Sequence, residues 1–233
     1  DNYQHKKPRV KANSEGAYVI WNDFYRPDAS GNIFIQKISH ENNSIWGESS
    51  LLPFDGIPVS EESGEQSNSR LTIDGNGGVY IVWENSYNEQ KDIKIKHLDS
   101  DGNSTYDSDG LLICEYEKDQ DSPLVRQDGN GGAFSVWQDY REGSIGLYAQ
   151  HIDVMGNPSM SVDGEKIFYG IDYNGQLYNY EDPLQLTPKS LYLGDDQTLL
   201  YWEDYRNGNQ DVEGVSLSTS YVYAEIIGLD YGN

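Results

Sequence analysis

The stretch that decides the fold is QDGNGGAFSVWQDYREGSIGLYAQHI, residues 127–152. It opens with a glycine-rich turn, continues through an apolar run that ends in Trp137, passes an Asp-Tyr-Arg corner and ends in a second alternating run. The Asp-Gly and Asn-Gly pairs supply the positive φ angles that a tight hairpin turn needs. The stretch therefore predicts antiparallel β-strands joined by short turns.

The same pattern recurs along the whole chain. Four phrases end in tryptophan: AYVIWND (17–23), VYIVWEN (79–85), AFSVWQD (133–139) and TLLYWED (198–204). A first strand is predicted before each phrase, at 9–13, 70–74, 124–128 and 190–194. A third strand is predicted after each phrase, at 32–39, 92–99, 146–153 and 211–218. Fourth strands are predicted at 50–54, 111–116, 166–170 and 225–229, and residues 55–68 as an acidic loop.

Four antiparallel strands in each of four repeats predict an all-β fold, a closed four-bladed β-propeller. A single repeat cannot bury both of its faces, so neighbouring repeats must stack. We expect one domain over residues 1–233, with blades at approximately 8–54, 69–116, 123–170 and 189–229. The alternative is that the chain forms part of a larger propeller.

The charge balance excludes some classes of partner. The chain has 233 residues and a formal net charge of −23, from 39 acidic and 16 basic side chains. Nucleic acids and anionic membrane surfaces need clustered Lys and Arg, so neither is an expected partner. No apolar run approaches the roughly 18 residues of a membrane span. The single cysteine, Cys114, excludes an intramolecular disulfide.

The repeats resemble a known group of proteins. Trp137-Gln-Asp-Tyr-Arg and Trp202-Glu-Asp-Tyr-Arg, with Asp128-Gly-Asn-Gly-Gly before and Ala149-Gln-His-Ile-Asp after, are similar to propeller repeats of secreted and cell-surface bacterial proteins. The resemblance covers most of the chain, although the second repeat departs from it with Trp83-Glu-Asn-Ser-Tyr. It implies a propeller and an exported location, and no activity. The start at Asp1 is interpreted as the end left by signal-peptide cleavage.

An Asp-Tyr-Arg corner recurs in three of the four repeats. Its members are Asp23, Tyr25 and Arg26, then Asp139, Tyr140 and Arg141, and finally Asp204, Tyr205 and Arg206. Acid–base catalysis would use carboxylates of this kind. A catalytic site is asymmetric, however, whereas these corners repeat from blade to blade. We therefore interpret each corner as a bidentate Asp–Arg pair that fixes a loop.

Basic residues fall on the predicted innermost strands. Aligning these strands places Arg9 and Arg70 at one position, and Lys11 and Arg126 two residues further along. First strands lie closest to a propeller axis, so four cations would ring the channel of an acidic protein. They predict a binding site for an anion or a carboxylate. Pairing with the corner aspartates is the alternative, and the residues alone favour it.

A calcium site is one reading of the turn after the third strand of the second repeat. Oxygen-bearing side chains alternate there at Asp99, Asp101, Asn103, Thr105 and Asp107, and calcium prefers such hard ligands. The glycine stands too early for an EF-hand loop. A plain hairpin turn is the preferred reading, and no other cofactor is predicted.

Aromatic residues suggest a second kind of ligand. Tyr173, Tyr178 and Tyr180 lie in the linker between repeats three and four, and together with Trp46 they are candidates for stacking on sugars. The alternative is that they plug the propeller face or pack between blades. His97 and His151 occupy equivalent positions, which we interpret as repeat divergence on a solvated strand face rather than zinc ligation.

No stretch of the sequence matches a known catalytic motif, so the functional prediction rests on the arrangement of the repeats. Because the four predicted blades account for the whole of this short chain, we predict a non-catalytic structural protein outside the cell or on its surface. We expect it to assemble with itself, as a surface or filament subunit, or with other surface proteins. The first alternative is a glycan- or calcium-binding module. A glycosidase-like enzyme is the second alternative and ranks last, because the residues show no asymmetric pair of carboxylates. The chain is accordingly predicted not to be an enzyme.

Overall fold

The computed structural model describes residues 5–24, 31–47, 56–107, 109–143, 145–168, 189–194, 197–204 and 221–228. Within these ranges the chain consists of β-strands and turns, without a helix. None of the described segments is a helix of the length and apolarity that a membrane crossing requires.

The strands form four antiparallel sheets. The first holds β1 (His5–Asn13), β2 (Gly16–Asp23), β3 (Asn32–Ile38) and β4 (Ile57–Pro58). The second holds β5 (Glu65–Ile73), β6 (Val79–Tyr87), β7 (Gln90–Leu98) and β8 (Leu111–Cys114). The third holds β9 (Gln120–Gln127), β10 (Ala133–Asp139), β11 (Gly146–Ile152) and β12 (Glu165–Phe168). The fourth holds β13 (Lys189–Gly194), β14 (Gln197–Asp204) and β15 (Tyr221–Gly228).

Each sheet is one propeller blade. In every sheet the strands follow one another in chain order, and each pairs with the next in antiparallel fashion. The first strands β1, β5, β9 and β13 contact one another in sequence across the blade boundaries. These strands therefore surround the axis, and the prediction of an all-β, four-bladed propeller is confirmed.

Two predicted elements are wrong. The strand that pairs with β14 in the fourth blade is Tyr221–Gly228 and not 211–218, a segment that lies outside the described residues. The acidic segment 55–68 is not a simple loop, because β4 and the first residues of β5 lie within it. Both assignments depend on hydrogen bonding to a neighbouring strand, which the pattern of polar and apolar residues along the chain does not reveal. The strand predicted at 50–54 also lies outside the described residues.

The core lies between the blades. Trp83 and Trp137 are completely buried, each at the end of the apolar run of a second strand. One cluster joins the inner faces of blades one and two, where Ile20 and Ile35 meet Trp83, and a second cluster joins blades two and three around Trp137. Since each tryptophan fills the space between its own blade and a neighbour, stacking supplies the burial that one blade lacks.

A glycine covers each buried tryptophan ring. Gly110 and Gly164 have φ angles of 81° and 84°, and an added Cβ would lie 2.5 Å from Trp83 and 2.4 Å from Trp137. A non-glycine residue in this region of backbone conformation is strained, and here it also collides with an indole ring. The shared geometry of the two blades thus depends on the absence of a side chain at this position.

We expect Gly110→Ala to lower the free energy of unfolding by at least about 2 kcal/mol, from left-handed strain and overpacking together. Urea denaturation monitored by tryptophan fluorescence measures this change. Gly143→Ala is the matched control, because Gly143 has a φ of 80° but nothing within 4 Å of the added Cβ. Equal losses in the two variants would show that contact with Trp83 contributes nothing.

Buried histidines lock the glycine-rich turns. His97 Nε2 lies 2.9 Å from Asp74 Oδ2, and His151 Nε2 lies 2.8 Å from Asp128 Oδ2. The other aspartate oxygen accepts hydrogen bonds from two main-chain N–H groups of its own turn, at residues 76 and 78 in blade two and at 130 and 132 in blade three. Both imidazoles are buried. The interpretation of these histidines as residues of a solvated strand face is therefore wrong.

These aspartates make the fold sensitive to acid. Burial alone would raise the pKa of Asp128, but the hydrogen bonds from His151 and the turn amides hold it below its ordinary value, and the pKa of Asp74 is lowered in the same way. A carboxyl group with a lowered folded-state pKa stabilises the fold above its unfolded pKa, about 3.9, and this contribution disappears as pH falls through the folded value.

We expect the free energy of unfolding to fall as the pH drops below about 4. The loss should be smaller in Asp128→Asn and smaller again in the Asp74→Asn, Asp128→Asn double variant, because neither replacement takes up a proton. Urea denaturation at a series of pH values measures the slope. A double variant with the full wild-type slope would show that these turns do not contribute.

Candidate functional site

The four basic residues singled out in the sequence line one cavity. Arg9 and Lys11 reach it from β1, Arg70 from β5 and Arg126 from β9. The volume is about 320 Å³, and the cavity lies on the innermost strands of three blades. We call it the axial cavity; its other lining residues are Pro8, Val10, Leu71, Leu124 and Val125.

The guanidinium groups are held by main-chain carbonyl oxygens. Arg9 Nε donates to Ser69 O at 3.1 Å, and Arg70 Nη1 donates to Ser69 O at 3.0 Å. Arg126 Nη1 donates to Val125 O at 3.1 Å. Among the described side chains, none with a carboxylate forms an ion pair with Arg9 or Arg70. The structure thus provides these two cations with polar contacts without neutralising their charge.

The cations influence one another. Burial and the nearby charge of Arg9 lower the pKa of Arg70 to about 10, against an opposing effect of Glu84. Burial and the charge of Arg126 lower the pKa of Lys11. A bound anion would relieve this mutual repulsion, so the axial cavity favours negatively charged ligands.

The corner of the third blade is a structural ion pair. Arg141 donates to both oxygens of Asp139, from Nε at 2.9 Å and from Nη2 at 2.6 Å. Its guanidinium lies between the rings of Tyr116 and Tyr148, and it also donates to Asp163 O. The predicted bidentate pair is confirmed here, and Asp139 is therefore not the partner of the cavity arginines. Tyr25, Arg26, Tyr205 and Arg206 lie outside the described residues.

A pair of carboxyl groups that the sequence did not reveal lies beside the axial cavity. Glu84 of blade two is buried and accepts hydrogen bonds from Asn68 Nδ2 at 2.6 Å and Ser67 Oγ at 3.0 Å. It also accepts one from the main-chain N–H of Ser122 in blade three, at 2.8 Å, and Lys91 Nζ lies 3.6 Å away. Glu84 thus joins two blades at the end of their innermost strands.

Asp121 of blade three is the second member of this carboxylate pair. Its Oδ2 accepts a hydrogen bond from the Tyr140 hydroxyl at 3.3 Å. Its Oδ1 is buried and has no hydrogen-bond partner in the described part of the chain. Burial, followed by the negative charge of Glu84, raises the pKa of Asp121. The two carboxyl groups thus differ in environment, because Glu84 is hydrogen-bonded through both oxygens whereas Asp121 has a raised pKa and one unpartnered oxygen.

The carboxylate pair breaks the repeat. The innermost strands of blades one to three share a register irregularity near their start, and the cross-strand pair just before it is Lys6 with Asn22 in blade one. In blade two this pair is Ser67 with Glu84, and in blade three it is Asp121 with Gln138. The acid of the pair thus lies on the second strand in blade two and on the innermost strand in blade three, and blade one has no acid at this pair. The pair therefore meets the requirement that a catalytic site in a repeat protein be asymmetric.

A bulge in the innermost strands of blades one to three explains why the pair was missed. Lys7, Asn68 and Ser122 have φ angles of 55°, 51° and 54°, and the strand continues on their far side. The first strands predicted at 70–74 and 124–128 stop short of this bulge. Residues 6, 67 and 121 occupy equivalent main-chain positions, and this equivalence would have shown that the acids differ between blades. The alternation of apolar residues does not reveal it, because the bulge interrupts the alternation.

The turn at Asp99 is built from its own hydrogen bonds. Asp99 Oδ1 accepts from the N–H groups of Asp101 and Asn103, and Oδ2 accepts from Asn103 Nδ2. Asp153 makes the same contacts in blade three. In the described ranges no group of three or more His, Cys, Asp or Glu side chains is placed to hold a metal ion. Calcium binding at Asp99, Asp101, Asn103 and Asp107 stays a prediction, as the alternative to a plain hairpin turn.

The aromatic candidates differ in outcome. Trp46 is buried, donates from Nε1 to Ser100 O at 3.1 Å and packs edge-on against Tyr18. It is therefore part of the core and is not available for stacking on a sugar. Tyr173, Tyr178 and Tyr180 lie outside the described residues, so their role in sugar binding stays a prediction.

Comparison with known proteins finds similarity in fold. No protein-family model and no curated protein sequence matches the chain. An endo-arabinase from Bacteroides thetaiotaomicron VPI-5482 is similar in structure, with a TM-score of 0.50 and 12% identity over 97% of this chain and 75% of that one. A thermostable family-43 glycoside hydrolase has a TM-score of 0.47 and 12% identity, over 98% and 73% of the two chains. An exo-1,5-alpha-L-arabinanase from a bovine ruminal metagenomic library has a TM-score of 0.43 and 13% identity, over 98% and 76%.

These similarities correct the functional prediction. The similarity in fold to an endo-arabinase contradicts the prediction of a non-catalytic structural or filament subunit. The prediction that the chain is not an enzyme is overturned by the same finding. Its premise was that the residues held no asymmetric carboxylates, and Glu84 and Asp121 remove that premise.

Proposed function

We propose that this protein is a glycosidase-like enzyme that cleaves a polysaccharide beside the axial cavity. The carboxylate pair carries the proposal, because Glu84 and Asp121 are blade-specific acids held in different environments next to a ligand-sized cavity. The fold shared with an endo-arabinase supports it. An acidic protein acting on a polymer is also in keeping with the expected extracellular location.

The chemistry follows from the environments of the two groups. Glycoside hydrolysis uses two carboxyl groups, of which one donates a proton to the departing oxygen while the other acts as a carboxylate. Asp121 is assigned the first role, because burial and the charge of Glu84 raise its pKa and so favour its protonated form. Glu84 is assigned the second, with its orientation fixed by Ser67, Asn68 and the Ser122 amide.

The experiment is incubation of the protein with arabinan, xylan and polygalacturonate, followed by measurement of newly formed reducing ends. We expect release from at least one polymer by the wild-type protein and almost none by Glu84→Gln. Glu142→Gln is the matched control, because Glu142 is an exposed acid that pairs with Lys166 away from the cavity. Equal release by the wild type and Glu84→Gln would overturn the proposal.

A further inference from the structure

We propose that the axial cavity binds the carboxylate of an acidic sugar, a uronic acid residue, through Arg9, Lys11, Arg70 and Arg126. The inference deepens the proposed function by naming the class of polymer. Its argument rests on the cavity itself, so binding and cleavage can be tested separately.

Concentration of charge is the first argument. The chain has only 16 Lys and Arg residues and a net charge of −23, yet four of these cations line one cavity. Bringing like charges together is unfavourable, and burial adds to the cost. The lowered pKa values of Arg70 and Lys11 reflect this arrangement. A ligand that carries a negative charge offsets it.

The free donors of the guanidinium groups are the second argument. A guanidinium has five N–H donors in a planar fork that matches a carboxylate. In the described part of the chain, Arg9 uses Nε and Arg70 uses Nη1, both toward main-chain oxygens. The main chain thereby fixes each group while other nitrogens of the fork are left for a ligand. Charge-assisted bidentate contacts of this kind are stronger than neutral ones.

The size and lining of the cavity indicate a sugar acid rather than a bare ion. Its volume of about 320 Å³ falls at the lower end of the range for small-molecule sites, about 300 to 1,000 Å³. Val10, which is exposed, and Leu124, which is half-buried, give it apolar surface beside the cations. The C–H face of a sugar ring contacts such surface while its carboxylate meets the guanidinium groups.

Asn68 connects the axial cavity to the carboxylate pair. Its side-chain amide donates to Glu84 Oε1 at 2.6 Å, and its main-chain oxygen accepts from Arg70 Nη1 at 3.2 Å. One residue therefore fixes the orientation of both a cavity cation and a member of the carboxylate pair. A uronic acid in the cavity would lie next to the bond that the pair addresses.

The test is isothermal titration calorimetry with trigalacturonate, arabinotriose and inorganic phosphate. We expect the wild type to bind trigalacturonate more tightly than the other two ligands, and added salt to weaken the binding. The Arg70→Gln, Arg126→Gln double variant should lose affinity by about tenfold or more, because it removes charged hydrogen-bond donors. Lys118→Gln, at an exposed position outside the cavity, is the control.

Each outcome decides the inference. Unchanged trigalacturonate affinity in a folded double variant overturns it, as does phosphate or arabinotriose binding as tightly as trigalacturonate. If the double variant does not fold, Lys11→Gln at an exposed lining position gives the same test. Binding without release of reducing ends supports this inference and removes the hydrolase proposal. Release of reducing ends from arabinan at an equal rate in the wild type and the double variant supports the hydrolase proposal and removes this inference.

Discussion

Asp121→Asn is expected to lower kcat for polysaccharide cleavage by about 100-fold to 10,000-fold, the range typical of a lost general acid. The amide has nearly the same shape as the carboxyl group but cannot donate the required proton. Reducing-end release measured with substrate in excess reports this change directly.

The same variant should keep its fold. A carboxyl group whose folded-state pKa is raised destabilises the protein as the pH rises above the unfolded value, because its ionised form is disfavoured in the folded state. The asparagine introduced by Asp121→Asn carries no charge, so we expect the melting temperature at pH 7 to be equal to or above that of the wild type. Lost activity together with a lower melting temperature would point to a structural role for Asp121.

The pH profile separates the two carboxyl groups. Because protonated Asp121 is the active form, we expect the rate to fall as the pH rises through its raised pKa. Glu84→Gln removes a negative charge that contributes to this shift. Any residual activity in Glu84→Gln should therefore decline at lower pH than in the wild type, and an unchanged alkaline limb would contradict the assigned coupling.

Arg141→Ala is expected to destabilise the protein by about 3–5 kcal/mol, because it leaves a buried carboxylate without its cation. Asp139 is completely buried, and without Arg141 its remaining donors are neutral: Trp137 Nε1, the main-chain N–H of residue 141 and the Cys114 thiol. The variant also loses the contact of the guanidinium with Asp163 O. Urea denaturation measures the loss.

Glu142→Gln is the neighbouring control for this second prediction. It breaks the more exposed ion pair with Lys166, which should change stability by no more than about 1 kcal/mol. A loss in Arg141→Ala as small as that in the control would show that the corner does not hold the third blade together.

Much of the architecture could be predicted because it depends on local patterns. The apolar phrases ending at Trp83 and Trp137 became fully buried second strands, and the glycine-rich turns before them close hairpins as expected. Repetition also identified the corner of Asp139 and Arg141 as structural. Alignment of the repeats brought Arg9 and Arg70 to one position of the innermost strands and Lys11 and Arg126 to another, and the structure places all four around one cavity.

The carboxylate pair could not be predicted because it forms between blades. Glu84 and Asp121 are 37 positions apart in sequence, and a bulge at Ser122 brings the main chain of one blade to the side chain of the other. His151 was also misjudged, because its polar side chain suggested exposure and the sequence does not show its contact with Asp128. In the fourth blade, two alternating segments competed for one strand position, and only pairing with β14 distinguishes them.

The most direct test of a glycosidase-like activity is cleavage of polygalacturonate in oxygen-18 water, with the products analysed by mass spectrometry. We expect each new reducing end made by the wild type to carry one atom of oxygen-18, and Asp121→Asn to form almost none. Absence of new reducing ends from polygalacturonate, arabinan and xylan with folded wild-type protein would contradict the account, as would products free of oxygen-18.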